Sequence, residues 1–123
     1  MPFFYTAQAQ TTADEVVLQS ALKTAEQNLR KKLPVRQDEI TIFENATHQQ
    51  KTFILDYKIE QVYSQAQEIN FTTSAKKLNV NFICGSPMRQ MLDLGGVIKI
   101  NYKNLNNKLF TTIDITKSSC NVQ

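Results

Sequence analysis

From Leu18 to Leu33 apolar residues recur every three or four positions, and after Pro34 they recur every second position. No single element type satisfies both periods, so the chain is predicted to combine helix with sheet. The first period belongs to Thr12–Leu33, where Leu18, Ala21, Leu22, Ala25, Leu29 and Leu33 form one stripe. Thr12 and Glu15 match a capping box, and Arg30, Lys31 and Lys32 suit the negative end of the helix dipole. Pro34 stops the helix, because it disfavours helical backbone at Leu33 and has no N–H to donate.

The second period predicts strands over Glu39–Glu44, with Ile40 and Ile42 inward, and over Thr52–Glu60, with Phe53, Leu55, Tyr57 and Ile59 inward. The polar stretch Asn45–Gln50 between them reads as a hairpin loop, and its Asn45-Ala46-Thr47 sequon as loop chemistry. Gln61–Thr73 fits no pattern cleanly; Glu68–Phe71 is a candidate fifth strand, and Thr72, Thr73 and Ser74 are candidate helix caps. Ala75–Ile83 reads equally as strand or helix. Ser86-Pro87 opens a short helix and Gly95-Gly96 closes it. Val97–Lys103 and Lys108–Thr116 complete a second hairpin, with Ile98, Ile100, Tyr102, Leu109, Ile113 and Ile115 on one face. The expected fold is α+β: a single antiparallel sheet of four or five strands with helices packed on one face.

The 123 residues suit one domain, and a 41% hydrophobic, 20% charged composition is that of a folded globular chain. A net charge of +3 is too mild to argue for nucleic acid or an anionic membrane, and no apolar run reaches the roughly 20 residues of a membrane span. Met1–Ala9 resembles the end of a secretory signal, with an apolar patch before Ala7-x-Ala9. The alternative is an ordinary terminus of a cytosolic protein. On the signal reading, residues 1–9 are a remnant and residues 10–123 the single mature domain.

Chemistry is hard to find. His48 is alone, Asp93 and Asp114 are distant in sequence, and neither a phosphate loop nor a hydrolase or metalloprotease motif occurs. The expectation is therefore a binding protein without cofactor, metal or catalytic residues. In an exported chain Cys84 and Cys120 should pair; in the cytosol they would be two buried thiols. Apolar residues expected on the sheet face away from the core, namely Phe43, Ile54 and Phe110, are the candidate contacts for a protein partner.

The run Cys84-Gly-Ser-Pro-Met-Arg-Gln-Met-Leu-Asp-Leu-Gly-Gly96, followed by strand, polar turn, strand and Cys120, resembles the C-terminal half of AspS-type pilotins of type II secretion systems. The helix ending at Leu33-Pro34 and the strand pair after it fall where that family has them. The resemblance implies a Cys84–Cys120 disulfide, a helix over Ser74–Ile83, and a periplasmic protein, placed at the outer membrane, that captures a C-terminal helix of the secretin and assists its assembly there. The pattern departs in one respect: those pilotins are lipoproteins, and no cysteine lies near Ala9-Gln10. A second expectation is a soluble periplasmic inhibitor or immunity protein that blocks an enzyme through the Asn45–Gln50 loop.

Overall fold

The computed structural model describes the backbone of residues 2–121 and the side chains of residues 13–121. The signal-like segment 1–9 therefore lies outside the residues whose side chains are described. Helix α1 runs Pro2–Arg30, without a break at Thr12. Strands β1 (Val35–Arg36), β2 (Thr41–Gln49) and β3 (Thr52–Ile59) follow, then helices α2 (Gln65–Cys84) and α3 (Arg89–Asp93). Strands β4 (Val97–Lys103) and β5 (Leu109–Ile115) and a 3₁₀ turn, Lys117–Asn121, finish the chain.

The strands form one sheet in the order β1-β2-β3-β4-β5. The α+β class and the helix-strand order are as expected, but the sheet is mixed. β2 and β3 pair antiparallel, as do β4 and β5, while β3 and β4 run parallel. The parallel pair follows from connectivity, because β3 returns to β4 through α2 and α3, a crossover long enough to bring the chain back to the same sheet end. The fifth strand is Val35–Arg36, not Glu68–Phe71.

One face of the sheet is covered. Leu18 and Leu22 of α1, Ala75 and Ile83 of α2, and Met91 and Leu92 of α3 join Phe43, Ala46, Phe53, Leu55, Ile59, Ile98, Ile100, Tyr102, Ile113 and Ile115 in a single core. At about 25 cal/mol per Å² of apolar area buried, this cluster is the main source of stability. The opposite face is polar. Asn101 donates to Asp56 at 3.0 Å and accepts from the Thr112 hydroxyl at 2.9 Å, while Lys99 and Asp114 pair at 3.3 Å.

Several expectations need correcting. Asn45–Gln49 is not a loop but the second half of β2, in register with Thr52–Asp56. Gln50, at φ 55°, and Lys51 make the turn. The register of β2 shifts between Phe43 and Asn45, so Phe43 and Ala46 both face the helices. Ile42, opposite Lys58, therefore lies on the open face. α2 starts at a capping box that the sequence reading missed: Ser64 Oγ accepts from Gln67 N, and the Gln67 side chain accepts from Ser64 N at 2.8 Å. The helix in front of the glycines begins at Arg89, two residues past Pro87; Ser86 Oγ still accepts from Met88 N at 3.2 Å.

Gly95 closes that segment at φ 93°. At Gly96 a Cβ would lie 2.8 Å from Met91 O and 3.1 Å from Leu18 Cδ1, so only glycine lets α1, α3 and the start of β4 meet. The chain end is held by the Cys84–Cys120 disulfide, which ties the last residue of α2 to the 3₁₀ turn. No described helix is long and apolar enough to cross a membrane.

Candidate functional site: a trough between two helices

The helical layer is built from two separated helices, and side-chain contacts fix how each is rotated. α1 sits over β2. Gln19 Nε2 donates to Gln50 O at 2.6 Å, Glu15 meets Lys51 at 3.7 Å, and Glu26 Oε1 accepts from the backbone N–H of His48 at 2.8 Å and lies 3.2 Å from its Nδ1. These three residues share one flank of the helix, which therefore faces the β2–β3 turn and the β2 side. At 100° per residue the other flank carries Val17, Ala21, Thr24 and Asn28.

α2 sits over β5. Its inner side is anchored by Ala75 and Ile83, by the Thr72 hydroxyl against that of Thr111, and by Asn79 Nδ2, which donates to Tyr102 Oη at 2.9 Å. Thr73, Lys76 and Val80 lie on the flank that borders a groove with Ser118 and Ser119 beyond β5. Leu78 and Phe82, one turn apart, occupy the opposite flank and are 69% and 68% exposed. With α1 over one side of the sheet and α2 over the other, the two free flanks face one another above β3 and β4.

The space between them is an apolar trough. On the α1 side a groove of about 690 Å³ is lined by Val16, Val17, Ala21 and Ala25 and by Met88 and Met91 from the turn and helix that close one end. Val16 is 65% and Val17 54% exposed. Valine, leucine and phenylalanine side chains more than half exposed on neighbouring helices are what a partner surface looks like before it is covered.

The residues expected to meet a partner lie elsewhere. Phe43 is 7% exposed and stacks on Tyr57 with ring centroids 4.7 Å apart, inside the core. Phe110 is under α2, with its ring 5.3 Å from Phe71 and 6.0 Å from Tyr63. The register shift after Tyr102 rotates it inward and turns Leu109 outward. Ile54 alone lies on the open face, paired with Thr47 and Lys99. Cys84 and Cys120 are bonded as expected. His48 lies in a strand, held by Glu26. Among the described residues, no group of three or more His, Cys, Asp or Glu stands close enough to hold a metal ion.

Buried tyrosines border the core at the far end of the sheet. Burial, and secondarily the neighbouring Tyr102, pushes the Tyr57 hydroxyl up to about 12, against a small opposing pull from the Gln37 side chain. Burial likewise raises Tyr102, opposed by its bond to Asn79. Neither is tuned toward neutral pH, where an acid–base catalyst works.

The fold is thus a five-stranded mixed sheet with helices on one face and a polar opposite face. No family model matches the chain, and no curated protein matches it in sequence. Three solved structures share its fold. A candidate secreted protein of Pseudomonas aeruginosa superposes with a TM-score of 0.72 at 14% identity, over 87% of this chain and 96% of its own. The type 2 secretion pilotin EpsS of Vibrio vulnificus gives 0.71 at 16% identity, over 91% and 99%. The type II secretion pilotin AspS of Vibrio cholerae gives 0.65 at 19% identity, over 89% and 97%. The chain is thus similar in fold, over nearly its whole length, to two pilotins of this secretion system.

Proposed function

We propose that this protein is a periplasmic, pilotin-like binding protein that captures an amphipathic helix of a secretin and assists its assembly at the outer membrane. The observation that carries the reading is the exposure of Leu78 and Phe82 on α2 together with that of Val16 and Val17 on α1. The trough, walled by two helices, is shaped to receive a third helix with its apolar stripe inward. The fold shared with EpsS and AspS supports the same reading.

The test is calorimetric titration of the protein with a peptide of the secretin's C-terminal helix. Wild type should bind with micromolar affinity, and L78S/F82S should bind at least tenfold more weakly, because two exposed anchors would be lost without touching the core. Absence of wild-type binding at high micromolar concentration would remove the functional proposal and leave the fold. Inhibition through Asn45–Gln50 is not retained, since those residues are a paired strand and its turn rather than a protruding loop.

A further inference from the structure

The charge on the helical layer is uneven. Glu15, Glu26 and Asp93 are each engaged, by Lys51, His48 and Arg89. Lys23, Arg30, Lys31, Lys32, Lys76 and Lys77 are exposed and have no carboxylate partner among the described residues. The only unengaged acids on these helices are Asp14 and Glu68, near opposite ends of the trough. By helical position Lys23 stands between the crest of α1 and the flank that faces β2, near Gln19 and Glu26, Lys31 follows the last turn on the trough side of that crest, and Lys77 stands on the crest of α2 beside Leu78. The groove on α1 is lined by no acid, and Asp14 stands one turn before Val17 on the same flank. On the open face of the sheet Lys99 and Lys103 are neutralised by Asp114 and Glu44, and Lys58 alone among its lysines has no ion pair among the described residues.

We infer that the trough selects a helix whose apolar stripe is bordered by acidic residues. This rests on the helix-capture reading above and adds the chemistry of the partner. The apolar stripe fills the channel, and carboxylates on the two shoulders of the bound helix meet Lys31 on one side and Lys77 on the other. Rim charges of this kind contribute little raw affinity each, yet they set orientation, exclude partners of like charge and speed encounter.

The experiment uses three peptides with one identical apolar stripe and glutamate, glutamine or lysine at the shoulder positions, titrated into the full chain at low and at high salt. The expected order is glutamate, then glutamine, then lysine, with about tenfold between the extremes at 0.1 M salt and less than twofold at 0.5 M. K31E/K77E should reverse the order while leaving the glutamine peptide unchanged. A proline-broken glutamate peptide should not bind; if it binds as well as the intact one, the attraction is for any polyanion and the inference falls. Equal binding of all three helical peptides would overturn the inference and leave helix capture standing. Failure of all three to bind would overturn both.

Discussion

Tyr57 is the residue whose surroundings make the clearest measurable statement. Its hydroxyl titrates near 10 in an unfolded chain and at about 12 here, chiefly because burial penalises the phenolate. The folded state holds the proton more tightly, so its stability is complete below pH 10 and falls as pH rises from 10 toward 12. A two-unit difference corresponds to about 2–3 kcal/mol. Alkaline thermal unfolding should therefore show a steep fall in Tm over that range, shallower in Y57F; an identical profile for the two proteins would place the titration elsewhere. Tyr57 was legible in the sequence as an inward strand residue. Its ring contact with Phe43 was not, because that depends on the register shift at Glu44, and an alternating pattern carries no mark of one extra residue. The same cause moved Phe110 from the open face to the core.

Among the elements, α1, β3, β4 and most of β5 followed from periodicity, since each buries one face against a continuous core. α2 did not. It carries Asn79, Asn81 and the β-branched Val80, which are weak helix formers, and its outer flanks hold apolar residues that blur any single stripe. What holds it as a helix is tertiary: the Phe71 ring against Tyr102 at 4.9 Å, buried Ala75 and Ile83, and the bond from Cys84 to Cys120. The polar half of β2 was missed for the related reason that its Asn45 and Thr47 face solvent on the open sheet. The disulfide closes a separation of 36 residues, which in the chain-entropy model is worth about 3–4 kcal/mol. C84A/C120A should lose stability of that order in urea melts, with hydrogen exchange rising first in the C-terminal half of α2. Unchanged exchange there would mean that side-chain packing alone fixes that end of the helix.

At the scale of the whole molecule, the sheet divides two unlike surfaces. One is a polar ladder of Asn, Asp, Thr and Lys whose hydrogen bonds and ion pairs are satisfied within the chain. The other is a pair of helices whose facing flanks leave valine, leucine and phenylalanine in water. The sequence reading put an apolar partner surface on the open face of the sheet, and of its three residues Phe43 and Phe110 turn to the helical side. Strand alternation was followed there without the bulges, while the second stripe on α1, at Val17, Ala21, Thr24 and Asn28, was hidden beside the stronger leucine stripe. Backbone chemical-shift mapping during titration with the secretin helix separates the two surfaces directly. The trough reading predicts perturbations concentrated at Val17–Asn28, Leu78–Phe82 and Met88–Met91, with Ile54, Lys99 and Thr112 unmoved. Perturbations centred on the open face instead would contradict it.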